Sequence, residues 1–332
     1  MTRGAMVLGM LAVAALVAAQ QQTAPTQQKQ AAGATGTTQQ GSAAAAPPQG
    51  KRPAQAKTQP EYEAYRAAAA NQADAAAMEK SADDFAAKFP DSELRVLLYK
   101  AAIGAYQNAH NDDKMSEMAQ KALKIDPDDP VALIAVSEVI AERTRDTDLD
   151  KDQRFDQATK YAQHALETID TDVAIPAGTP QPQVDAYKEG LRSTAFSILG
   201  TIQYSQEKYA EAQSYFQKSI DADPSQPDPV VVLRLALALD KQGKYPEALK
   251  QANQAVELTQ EGTAAGTTAR RERDRLVQLT GGPAPASGSA APASKPPASA
   301  TDPSGPGFAI MAAWETSIWP DAFSSGKAMV IR

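Results

Sequence analysis

Four aspartates alternate within one short stretch of this chain: Asp146, Asp148, Asp150 and Asp152. Carboxylates at that spacing suit a hard divalent cation, which needs six or more oxygen donors gathered by a loop. The match then stops, because Lys151 stands where a calcium loop turns on glycine and Gln157 where it closes on a bidentate glutamate. A solvated acidic turn, with Asp152 as a helix cap, is the better reading.

The other chemistry-bearing residues are sparse. There is no cysteine, so disulfides, thiolate metal sites and cysteine nucleophiles are excluded. The two histidines, His110 and His164, have no His or Cys neighbour at ligand spacing. His110 is expected in a hairpin turn and His164 on an exposed helix face. Arg270, Arg271, Arg273 and Arg275 form a basic cluster, but Glu272 and Asp274 interleave with it, which favours internal ion pairs over an anion site. No Gly-rich phosphate loop or nucleophile elbow is present. The sequence therefore predicts no catalytic residue, no metal, no cofactor and no evident small-molecule substrate.

Composition indicates what the chain builds instead. Of 332 residues, 42% are hydrophobic but only 6% aromatic, so alanine supplies much of the apolar surface and thin helix-on-helix packing is expected. The net charge is -7, yet the first sixty residues hold Arg3, Lys29, Lys51, Arg52 and Lys57 and no acid, leaving -12 on the remainder. A body of that sign repels a phosphate backbone, which argues against a nucleic-acid partner.

The ends differ from the middle. A short basic start, an apolar run over residues 4–19 and small residues before Gln20 predict a signal peptide, 1–19, and hence a periplasmic or extracellular protein. Residues 20–58, rich in Gln, Ala and Thr, are expected to be a disordered linker, and so are the Pro, Ala and Ser of 281–307. The tail, 308–332, holds both tryptophans, Trp314 and Trp319, and reads as a docking peptide or an interfacial segment. Membrane contact is expected only through the N-terminal segment or this tail.

Between these ends, 59–280 is repetitive. Residues 193–226 carry Phe196, Leu199, Gly200, Tyr209, Ala212, Phe216 and Pro224 at the intervals of a 34-residue helical hairpin. These residues resemble the tetratricopeptide repeat family. Leu235, Gly243, Tyr245, Ala248 and Ala255 repeat the pattern over 229–259, with Tyr209 to Tyr245 spaced 36 residues apart. Setting Pro127 equivalent to Pro224 defines an earlier repeat over 96–129, with Ile103 and Met115 where Gly200 and Ala212 stand. A third hairpin runs from Pro130 with a swollen turn at 144–152, and the long helix that follows starts near Pro182. Tyr62, Tyr65, Phe85 and Phe89 mark a first hairpin, whose Phe89-Pro90-Asp91-Ser92 ending resembles repeats of outer-membrane assembly lipoproteins and of the Tol-Pal coordinator. A polar helix over 264–279 should cap the array.

The resemblance implies an all-α, right-handed superhelical solenoid of about five hairpins with a capping helix, flanked by disordered segments. It further implies a non-enzymatic scaffold of the cell envelope that holds a protein or peptide partner in a concave groove. Counted from the family pattern, the groove residues are Lys100, Gln107, Asn108, Glu138, Thr201, Tyr204, Ser205, Leu237, Asp240 and Lys241, with Gly104, Ile134, Ala141, Glu142, Thr194, Ser197, Val230 and Leu233 at neighbouring positions. Tyr204 is the strongest single contact expected. The lysine and asparagine clamp that chaperone-binding members use for a terminal carboxylate is not reproduced. The alternative is an autoinhibited or structural module whose own tail fills the groove or docks on a membrane or partner.

Overall fold

The structure, a computed structural model, describes residues 50–71, 74–176 and 178–281. The leader 1–19, the linkers short of residue 50 and beyond 281, and the tail 308–332 lie outside the described residues.

Helix starts follow from local chemistry. Asp74, Asn111, Asp129, Asp228 and Thr263 each accept a backbone N–H of the first turn, and prolines stand in the first turn after Asp129 and Asp228. Such caps satisfy donors that have no partner within the helix, and proline loses nothing there. The helices so begun are α1 (Gln59–Ala69), α2 (Ala75–Lys88), α3 (Arg95–Asn108), α4 (Asp112–Leu123), α5 (Pro130–Arg143) and α6 (Lys151–Asp172). They continue with α7 (Gln181–Ser205), α8 (Tyr209–Ala222), α9 (Pro229–Lys241), α10 (Tyr245–Leu258) and α11 (Ala264–Leu279). No strand occurs among the described residues. Asp152 lies inside the first turn of α6, so the expected cap role passes to Asp150, whose side chain makes no capping bond.

Among the described residues, consecutive helices pair as five hairpins, α1–α2 to α9–α10, with α11 packed over the last. Odd-numbered helices also pack on one another in succession, whereas even-numbered helices touch mainly their odd-numbered neighbours. The stack therefore curves with α1, α3, α5, α7, α9 and α11 on its inner side. No described helix is long and apolar enough to cross a membrane.

Alanine builds the contacts between helices. Ala82, Ala102, Ala119, Ala158, Ala162, Ala212, Ala236, Ala248 and Ala252 are fully buried, in keeping with the composition. One hydrophobic cluster runs from α1 to α5, the next from α5 to α8, and a third joins α8, α9, α10 and α11. Each interior helix contributes to the core on two sides, which is how a repeat too thin to hide its own apolar stripe becomes stable.

Residues 50–58 depart from the linker expectation. Lys51 lies 2.6 Å from Asp126 and 3.5 Å from Asp172, Arg52 pairs with Glu93, and Lys57 donates to the Asp91 carbonyl. Ala54 and Ala56 pack on the first cluster, and a Cβ on Gly50 would stand 2.5 Å from the Val173 carbonyl oxygen. The segment is a strap along the ends of α4 and α6. Its order comes from partners far away in sequence, so local composition could not reveal it.

Candidate functional site: the inner face of the stack

Hairpin geometry fixes which side chains reach the inner face. At each of three turns, between α3 and α4, α7 and α8, and α9 and α10, one residue adopts positive φ: His110 (53°), Glu207 (59°) and Gly243 (72°). The following N–H reaches back to close the helix: Asn111 to the Tyr106 carbonyl, Lys208 to Gln203 and Lys244 to Leu239. This is one C-terminal motif used three times. The turn position expected for His110 is the observed one.

The register of α7 against α8 is set by a close approach. A Cβ on Gly200 would lie 2.6 Å from the Phe216 ring, so glycine there is what admits the phenylalanine. Ala212, Leu199, Leu235, Ala248 and Ala255 are buried around the same hairpins. Phe196 is partly buried and stacks on Tyr215 at 6.4 Å. Pro224 follows the end of α8, and Tyr245 opens α10 as an exposed residue.

The expected groove residues divide into three groups. Lys100 is held by Asp129, which also caps α5, at 3.2 Å with both side chains buried, and Asp240 pairs with Arg275 from α11. These two serve the scaffold and are not free to meet a partner. Ile134, Ala141 and Leu233 are buried, because successive inner helices press on one another at those positions. Gln107, Glu138, Thr201, Ser205 and Leu237 are half-buried, and Asn108 and Lys241 are exposed. Tyr204 meets Tyr209 edge-on at 5.3 Å within the third cluster, and burial pushes its hydroxyl up to about 12. Its role is packing more than contact.

One polar constellation on this face joins α5, α7 and α9. Thr201 donates to the Ser197 carbonyl at 2.9 Å and accepts from Arg234 at 3.0 Å, and Arg234 also lies 3.6 Å from Glu142. Glu138, one turn before Glu142, keeps Oε2 buried with no hydrogen-bond partner. Burial, then the neighbouring Glu142 charge, push the Glu138 carboxyl up to about 8, with Arg234 acting against both. Glu142 is raised as well, again by burial first and with Arg234 opposing. Asp228, the cap of α9, is raised by burial.

The family pattern does not place Arg234 in the groove. A signal exists in the sequence all the same, since Glu138 and Arg234 each stand alone in apolar helices, VALIAVSEVIA and VVVLRLALAL. A solitary charge in such a run either has a partner across the interface or is oriented to meet one.

Several of the remaining sequence candidates have structural partners. Asp148 accepts from the Arg145 amide and Arg154, and His164 lies 2.7 Å from Asp128, tying α6 to the loop before α5. Arg275 pairs with Glu272 and Arg273 with Asp274. Among the described residues no group of three His, Asp or Glu side chains gathers as a metal-ligand set.

An array of antiparallel helical hairpins with a continuous inner face defines a helical-repeat scaffold as the class. Residues 203–270, from the end of α7 through α8, α9 and α10 into the start of α11, match the family model described as tetratricopeptide repeat. Among solved structures, the chain is similar to PilF of Pseudomonas aeruginosa, with 19% identity over 67% of this chain and 86% of that one and a TM-score of 0.45. It is also similar to TTC0263 of Thermus thermophilus, described as a thermophilic TPR protein, with 12% identity over 64% of this chain and 98% of that one and a TM-score of 0.42. No curated protein matches.

Proposed function

We propose that this chain is a non-enzymatic interaction scaffold of the bacterial cell envelope that holds a protein or peptide partner along α5, α7 and α9. Tetratricopeptide repeats support protein binding in general, and the placement in the envelope rests on the leader pattern of residues 1–19. The observation that carries the site is the contrast between the two sides of the stack. On the outer helices, Glu79 and Asp83 of α2 are engaged by Lys114 and Lys121 of α4 and by two tyrosine hydroxyls, whereas on α5 Glu138 is left with an unpartnered oxygen. Buried polar groups are costly unless paired, so an unpaired one retained on a lining helix is best accounted for by a partner.

Photo-crosslinking residues placed one at a time in cells test this. Positions Ser205 and Lys241, on α7 and α9, should capture the same protein, while Gln217 and Lys250 on outer helices should not. Capture from the outer positions alone would overturn the assignment of the face.

A further inference from the structure

Resting on that reading, we propose that Glu138 and Glu142 form the subsite that takes a lysine or arginine side chain of the bound peptide, with Arg234 and Thr201 as its fixed wall. Two carboxylates one turn apart on α5 face a single protein cation, and that cation is already shared. Arg234 donates to Thr201 at 3.0 Å and stands 3.6 Å from Glu142, while Glu138 Oε2 is buried and has no partner. The charged groups around the pair from neighbouring elements are Asp112 at the start of α4, Asp228 before α9, and Arg234. The local balance is acidic, so one further cation is what the site lacks.

The geometry also excludes the opposite polarity. An anionic group, such as a terminal carboxylate, would hold Glu138 in its neutral form and would meet Glu142, Asp112 and Asp228 with Arg234, already shared with Glu142, to receive it, and like charges at close range are strongly unfavourable away from bulk water. Lys100, an inner-face cation on α3, is committed to Asp129, and the exposed Lys241 stands at the far end of α9, two turns beyond Arg234. The oriented wall matters as much as the charge. Thr201 is itself fixed by the Ser197 carbonyl and tethers the guanidinium of Arg234, which makes no hydrogen bond to Glu138 Oε2.

Proton linkage supplies a second readout. Burial and the neighbouring Glu142 raise the Glu138 carboxyl well above the usual carboxylate range, so a cationic ligand must displace its proton, and affinity rises with pH from the ordinary carboxylate range up through that raised one. The same burial makes the unliganded fold less stable as pH climbs through that window, because the folded state binds the proton and the unfolded state releases it. Glu138→Gln should abolish both dependences and melt at or above the wild type at pH 8. A site in which Glu138 merely packs would show the stability trend without the ligand trend.

The experiment is selection of a displayed random dodecapeptide library on the full chain at pH 8, in parallel with Glu138→Gln and, as a second variant, Glu142→Gln. The wild type should enrich peptides with lysine or arginine at one fixed position, and replacing that residue by citrulline or norleucine should weaken binding about tenfold or more, as expected for losing a desolvated charge contact. Both variants should lose the preference while still binding peptides. Enrichment without a cation, or a cation preference that survives in both variants, would overturn the subsite and leave the groove standing. Failure to enrich any peptide would count against the groove reading itself.

Discussion

In the α7–α8 hairpin the helices meet as glycine against phenylalanine, Gly200 and Phe216, whereas the equivalent places in α3–α4 hold Ile103 and Ala119. The bulk has changed sides across the same gap. In α9–α10 the pair is Ala236 and Ala252, and in α5–α6 Ser137 faces that region and donates to the Ala158 carbonyl at 2.7 Å. What these hairpins share is a limit on combined volume rather than a residue. The backbone plan tolerates large-with-small in either order, which is how close packing constrains a core without dictating its sequence.

Removing the bulky partner should cost the most. Phe216→Ala should destabilise by about 4 kcal/mol through the cavity it leaves, and Gly200→Ile by about 3 kcal/mol through overpacking against the ring, both read by denaturant unfolding. The two together recreate the arrangement of the second hairpin. The double variant should recover at least about 2 kcal/mol relative to the sum of the singles, and simple additivity would show that the two hairpins are not equivalent.

The turns extend the contrast at a lower energy. Glu207 and His110 occupy the left-handed conformation that Gly243 adopts in the fifth hairpin, at a cost of about 1 kcal/mol each for a residue with a Cβ. Glu207→Gly and His110→Gly should therefore raise the melting temperature by a few degrees, and Gly243→Ala should lower it by a similar amount. Opposite signs at these positions would mean that the three turns are not one motif.

A smaller difference separates the hairpins by their polar contacts. Tyr106 and Tyr99 of α3 donate to Glu79 and Asp83 of α2, with both phenols pushed up to about 12 by burial and then by those carboxylates. They remain neutral donors across the physiological range. Tyr99→Phe should cost about 1 kcal/mol. Within the α7–α8 hairpin a side-chain link is instead neutral, Ser219 donating to the Ser193 carbonyl at 2.7 Å, and Ser219→Ala should show less dependence on salt.

Much of the fold is legible in the sequence because its punctuation is local. Proline, glycine and capping aspartate mark the hairpin ends, and the capping helix falls at Ala264–Leu279, where its polar pattern puts it. The site is legible as a surface but not as an inventory. Lys100 and Asp240 read as free because their partners, Asp129 and Arg275, come from the next helix pair or beyond. Tyr204 reads as available because helical spacing cannot distinguish a residue that faces solvent from one that leans on Tyr209. Arg234 escapes the family pattern, although isolation in an apolar run marks it as clearly as it marks Glu138.

The strap at residues 50–58 has a mechanical consequence. Lys51 is fastened to Asp126 and Asp172, at the junction of the second and third hairpins, while α1 begins only at Gln59. Tension applied through the chain ahead of residue 50 thus enters the body near its middle and leaves the first hairpin unloaded until the lysine contacts give way. The anchorage is ionic and partly exposed, so its holding force weakens as salt rises. The order in which the hairpins detach under load is accordingly set by those few contacts and not by the order of the repeats.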